Sequence, residues 1–112
     1  MTNTVIPAEK TLLLVDDDHP FLTRLARAME ARGFEVLMAE SVAEGVAHVK
    51  RSAPSFAVVD LRLADGNGLD VIEALHQARP EARAVVLTGY GNIATAVTAV
   101  KLGAIDYLAK PA

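Results

Sequence analysis

Three consecutive carboxylates, Asp16, Asp17 and Asp18, follow directly on the aliphatic run Leu12–Val15 in "LLLVDDDHP". Two carboxylates about 4 Å apart repel by roughly 4 kcal/mol at an effective dielectric near 20, so such a cluster calls for water between the charges or for a cation. Further along, Asp60 closes "FAVVD", Thr88 closes "RAVVLT" and Lys110 follows "AIDYLA". Hard carboxylate oxygens suit Mg²⁺, a lysine neutralises an anion, and a threonine hydroxyl donates to one. Mg²⁺ takes only one or two carboxylates and keeps water or an anionic ligand in its remaining positions. A site of this kind suits phosphate.

The elements that must bring these residues together alternate along the whole chain. "TLLLVD", "FEVLMA", "FAVVDL", "RAVVLT" and "AIDYLA" read as five strands, the strongest of them apolar throughout, as strands buried on both faces should be. Between them, "PFLTRLARAMEARG" spaces Phe21, Leu25 and Met29 by four, with Pro20 suited to a first turn and Gly33 to a stop. "SVAEGVAHVKR" opens with Ser41 and Glu44 in capping-box spacing and carries Val42, Val46 and Val49; "LDVIEALHQAR" aligns Leu69, Ile72 and Leu75 before Pro80. "NIATAVTAVKLG" repeats the pattern more weakly with Ile93, Val97 and Val100 before Gly103. Strand and helix in alternation imply right-handed β-α-β units and a parallel sheet covered on both faces. In a sheet ordered 2-1-3-4-5, ligands bind beyond the carboxyl ends of strands one and three, where the order reverses. Asp16, Asp17 and Asp60 fall at that crevice, with Thr88 and Lys110 on the same rim.

Composition bounds the rest. The 112 residues, 52% hydrophobic, suffice for one core and one domain. Eleven basic against 14 acidic side chains leave a net charge of −3, with no basic block to grip nucleic acid. The absence of cysteine removes disulfides, thiolate zinc sites and thiol redox chemistry. Neither a membrane-length apolar run nor a secretory signal is present, so a soluble, cytoplasmic domain with no membrane partner is expected, with residues 1–10 a flexible tail.

The set "LLVDDD", "VVDLRL....GLDVI", "VVLTGYG" and "DYLAKP" resembles the receiver domain of bacterial two-component response regulators, from Thr11 to Pro111. "VDDDHPFLTRLARAMEARGFEV", "AESVAEG", "DLRLADGNGLDV" and "LTGYGNIATAV" are most similar to the RegA/PrrA/ActR group of redox-responsive regulators. The resemblance implies a flavodoxin-like three-layer α/β sandwich with a five-stranded parallel sheet in order 2-1-3-4-5. It implies Asp60 as phosphoacceptor, and Asp16, Asp17, Asp60 and the backbone carbonyl of Arg62 as the Mg²⁺ set. Lys110 and Thr88 would bind phosphate, and Thr88 with Tyr107 would form the switch. A sensor histidine kinase would be the donor, and the domain would be no enzyme beyond self-phosphorylation and slow autodephosphorylation. Output would be control of transcription through a DNA-binding effector absent from the chain. One departure is Ala64, where the family often has proline; Gly66 and Gly68 can still turn that loop.

On the same resemblance, residues 11–112 are expected to be a C-terminally truncated receiver domain lacking the usual fifth helix. The exposed edge would then favour a homodimer or other self-association through the fourth-helix and fifth-strand face. Two other functions use related features. A stand-alone receiver would act by protein contact alone. An aspartyl-phosphate phosphatase of the haloacid-dehalogenase type would need a D-x-D arrangement on its first strand and a cap segment, and fits poorly. "GYGNIA" matches a dinucleotide-binding pattern but lies too late in the chain for an acidic ribose partner. His19, His48 and His76 lack metal-ligand spacing and read as surface residues, with His19 placed to tune the acidic cluster.

Overall fold

The computed structural model describes residues 9–89 together with 97, 98, 100, 101, 104 and 106–109, the side chains of Tyr107 and Ala109 excepted. Its elements are β1 (Thr11–Val15), α1 (His19–Glu30), β2 (Glu35–Ala39), α2 (Val42–Arg51), β3 (Phe56–Asp60), β4 (Arg62–Leu63), β5 (Gly66–Asn67), α3 (Leu69–Ala78), β6 (Arg83–Thr88) and β7 (Asp106–Ala109). Five strands form one parallel sheet in the order β2-β1-β3-β6-β7, the topology expected from the strand–helix alternation. Val97, Thr98, Val100 and Lys101 are helical, in keeping with the fourth helix; Ile93, Gly103 and Tyr90 to Ala94 of "GYGNIA" lie outside the described residues, as do residues 1–8 and Lys110.

Alternation along β1 divides the core into two layers, because successive side chains of a strand point to opposite faces. Leu13 and Val15 join Val59, Val86, Val71, Ile72 and Leu75 in the cluster under α2 and α3. Leu12 and Leu14 pack with Leu22 and Ala26 of α1 on the other face. The inward stripe of α1 therefore centres on Leu22 and Ala26, with Leu25 and Met29 half-buried at its flank, rather than on the Phe21–Leu25–Met29 row the spacing suggested. Gly45 lets α2 seat closely, since a Cβ there would stand 3.0 Å from Val71 Cγ2 and 3.3 Å from Val15 Cγ2.

Helix starts cluster on the rim that carries the strand carboxyl ends. Asp18 caps α1, its Oδ1 accepting from the Phe21 N–H at 3.1 Å, with Pro20 in the first turn. Ser41 caps α2 by accepting from the Glu44 N–H at 3.1 Å. Glu44 departs from the reciprocal capping box: its carboxylate takes the N–H of Glu40 at 2.7 Å, one residue before the cap. Gly33, with φ +94, ends α1 as expected, and the Phe34 N–H closes back on the Met29 carbonyl at 3.1 Å. At the opposite rim Arg79 joins the end of α3 to Glu9, to Glu81 and to the Ala53 carbonyl.

Candidate functional site

Asp16 and Asp17 leave β1 where the chain turns toward α1, and Asp60 is the last residue of the neighbouring strand β3. One carboxylate oxygen from each of the three lies within 4.8 Å of the others. Asp16 and Asp60 are buried, at 2% and 5% exposure, whereas Asp17 faces solvent. The cluster therefore has a closed floor and an open mouth. Asp16 is oriented by the Asp18 N–H, which donates to its Oδ1 at 2.9 Å, and Asp60 by the Arg62 N–H, which donates to its Oδ1 at 3.1 Å. Thr88, wholly buried at the end of β6, donates its hydroxyl to the Gly89 carbonyl at 3.2 Å. Two or three oxygens of hard carboxylates around a solvent-facing opening are a donor set that fits a hard divalent cation with water or an anion completing its shell.

Residues 61–68 shape one wall of this mouth. Arg62 pairs with Asn67 and Leu63 with Gly66 in an antiparallel ribbon whose two-residue turn is Ala64-Asp65. The sequence carries no hairpin signal at these turn positions, because Asp65-Gly66 falls one residue later than the Asp-Gly of a two-residue loop. The ribbon shows how the loop turns without proline: Gly66 takes φ +152, and Leu63 below it is buried. Gly68 has a different task. A Cβ on it would fall 2.2 Å from the Asp60 carbonyl oxygen and 2.7 Å from Val59 Cγ1, so only a bare Cα lets α3 begin against the end of β3.

Asp65 is the functional-site neighbour that sequence reasoning missed. Its two carboxylate oxygens accept from the Val42 and Ala43 N–H groups at 2.9 and 3.1 Å, capping α2 from 22 and 23 residues away. These backbone donors hold its carboxyl below the ordinary value of 3.8. A depressed folded-state value adds stability that is present above 3.8 and lost as pH falls through the lower folded value. Asp65→Asn should therefore show a shallower loss of stability with pH below that value than wild type, measured by urea unfolding at stepped pH. Parallel acid limbs would contradict the contact.

Of the remaining sequence-predicted residues, the Arg62 backbone lies on β4 and its side chain is exposed; Tyr107 pairs through its backbone with Val86. His19 Nδ1 stands 2.9 Å from Glu40 Oε2 on the surface beside the acidic mouth, and His48 Nε2 stands 3.2 Å from the Met38 carbonyl oxygen. Among the described residues no helix is long and apolar enough to cross a membrane.

The model of the response regulator receiver domain matches residues 12–112. The chain belongs to this family. As a receiver domain it is 68% identical over 108 residues to the acid tolerance regulatory protein ActR of Rhizobium meliloti, covering 96% of this chain and 56% of that protein. It is also 68% identical over 105 residues to the photosynthetic apparatus regulatory protein RegA of Rhodobacter capsulatus, covering 94% of this chain and 57% of RegA. The chain thus spans a little over half the length of these relatives, and its sequence is similar to their receiver portion. Its fold matches a Burkholderia pseudomallei response regulator solved with a phosphorylated aspartic acid, calcium ion and citrate, at TM-score 0.85 and 45% identity, over 93% of this chain and 61% of that one. It also matches the beryllofluoride-activated NtrC4 receiver domain dimer at TM-score 0.82 and 31% identity, over 92% of this chain and 85% of that one.

Proposed function

We propose that Asp60 accepts a phosphoryl group from a phosphohistidine on a sensor histidine kinase, with Mg²⁺ held by Asp16, Asp17, Asp60 and the Arg62 carbonyl. The observation that carries this reading is the convergence of three carboxylates within 4.8 Å at the crevice between β1 and β3, two of them buried. The phosphorylated aspartic acid and calcium ion of the Burkholderia pseudomallei relative support the same assignment.

In the transfer, an Asp60 oxygen forms the new P–O bond while the P–N bond to the donor imidazole breaks, its electron pair staying on the ring nitrogen. Water later cleaves the acyl phosphate, returning the carboxylate and inorganic phosphate. Both nucleophile and phosphoryl group are anionic, so positioning and charge neutralisation dominate the barrier. Bound Mg²⁺ supplies neutralisation at the phosphoryl oxygens. The Asp60 carboxylate is held by the Arg62 N–H, and that of Asp16 by the Asp18 N–H. Lys110, next in sequence after Ala109, is the residue that would pair with the phosphoryl group. Labelling by acetyl phosphate should vanish when Mg²⁺ is chelated; undiminished labelling would refute the metal-dependent mechanism.

Thr88 and Tyr107 form the switch in this reading: the Thr88 hydroxyl exchanges its bond to Gly89 for a phosphoryl oxygen, Tyr107 turns inward, and the "GYGN" loop and fourth helix shift between two states. Thr88→Ala should still accept phosphate yet lose most of the amide chemical-shift change that phosphorylation produces in wild type. A full spectral change would contradict the coupling. The output is transcription control through a DNA-binding effector domain, in keeping with regulatory relatives of which this chain spans 56% and 57%. Exposed Val97, Val100 and Leu108, at 40%, 37% and 57%, support self-association through the face formed by the fourth helix and β7, and the NtrC4 neighbour is a dimer.

A further inference from the structure

The β4–β5 ribbon has only two residue pairs, and a two-stranded hairpin is marginal in water even at greater length. It must be held from outside. Its base is fixed by buried Leu61 and Leu63 and by the Gly68 N–H, which donates to the Leu61 carbonyl at 3.0 Å. Its exit is fixed by Asn67, whose Oδ1 accepts from the Leu69 N–H at 2.8 Å as α3 begins. The tip is fixed by Asp65 on the first two N–H groups of α2. That contact is charge-assisted and faces the positive end of the helix dipole. On the other flank of the same helix start, Glu40 lies beside His19, two residues beyond Asp17. The start of α2 thus touches the ribbon, and the residue before its cap touches the start of α1.

We propose that Asp65 is a positioning residue that latches the ribbon bearing the Arg62 carbonyl to the N-terminus of α2, holding that carbonyl in place toward the Asp16–Asp17–Asp60 cluster. The inference rests on the reading of that cluster as a Mg²⁺ site. Asp65 itself stands outside the carboxylate cluster; its effect runs through the backbone of residues 62–66. The depressed ionisation of Asp65 fits a carboxylate that stays charged and engaged across the working pH range.

A merely structural cap would lower stability without touching the metal, and Ser41 provides that comparison, since its side chain caps the same helix end through the Glu44 N–H of its own helix. Mg²⁺ binding is read by titration calorimetry, and melting temperature is recorded in chelator, for wild type, Asp65→Ala, Asp65→Asn and Ser41→Ala. Asp65→Ala should weaken Mg²⁺ binding about tenfold and Asp65→Asn by less, while Ser41→Ala stays within about twofold of wild type despite a comparable loss of melting temperature. Asp65→Ala binding Mg²⁺ as Ser41→Ala does would overturn the latch and leave the metal site standing. A wild type that takes up no Mg²⁺ would instead overturn the metal reading, and the latch with it.

Discussion

Gly68→Ala is expected to lower stability by about 3 kcal/mol, a fall of more than roughly 10 °C in melting temperature for a domain of this size. The backbone at Gly68 is ordinary, with φ −59 and ψ −14, so alanine meets no conformational penalty there. The entire cost comes from the added Cβ at 2.2 Å from the Asp60 carbonyl oxygen, an atom of the sheet backbone that cannot rotate away. Relief requires moving either the start of α3 or the end of β3. Because the latter carries Asp60, the substitution should also weaken Mg²⁺ binding. Gly66→Ala makes the comparison: its φ of +152 strains an L-residue, but its Cβ would meet only Val42 Cγ2 at 3.6 Å. Its cost should stay near 1 kcal/mol. Equal melting temperatures for Gly68→Ala and wild type would show that α3 does not abut Asp60 as described.

Asp17→Asn should reverse the order of stability depending on metal. Two carboxylates at the 4.8 Å limit of the cluster repel by roughly 3 kcal/mol at an effective dielectric of 20. Asp17 is exposed, so solvent screening leaves about 1 kcal/mol to be recovered by neutralising it. In chelator the variant should therefore melt a few degrees above wild type. With Mg²⁺ at about a hundred times the wild-type dissociation constant, wild type should gain about 2.7 kcal/mol from binding, roughly 10 °C, and the variant little of it. Calorimetric melting with and without Mg²⁺ measures the crossover. An equal Mg²⁺-induced rise in both proteins would remove Asp17 from the metal site.

The sheet order and the rim were legible because each depends on local pattern. β1 is a short aliphatic run followed at once by Asp16, β3 and β6 are such runs ending in Asp60 and Thr88, and topology alone then brings Asp16 and Asp60 together across neighbouring strands. Asp18 has a different task from its two neighbours: it immediately precedes a proline-containing helix start, and it caps that helix. What sequence spacing obscured was long-range or directional. The spacing of Phe21, Leu25 and Met29 suggests one α1 stripe, yet the helix turns Leu22 and Ala26 inward, and small Ala26 carries little weight in a hydrophobic pattern. Asp65 looks like a turn residue because its partners lie on α2, brought near only by packing of α2 against α3. Gly68 resembles a loop glycine; that it is required for close approach rather than for backbone freedom is a fact about distance to Asp60.

In the proposed mechanism Asp60 is the phosphoacceptor, and a divalent cation is held by the carboxylate cluster around it. Intact-mass spectrometry after incubation with acetyl phosphate tests it most directly, on wild type with Mg²⁺, wild type with chelator, and Asp60→Asn with Mg²⁺. A single phosphoryl adduct in the first sample and none in the other two is the predicted result. The same adduct on Asp60→Asn would contradict it.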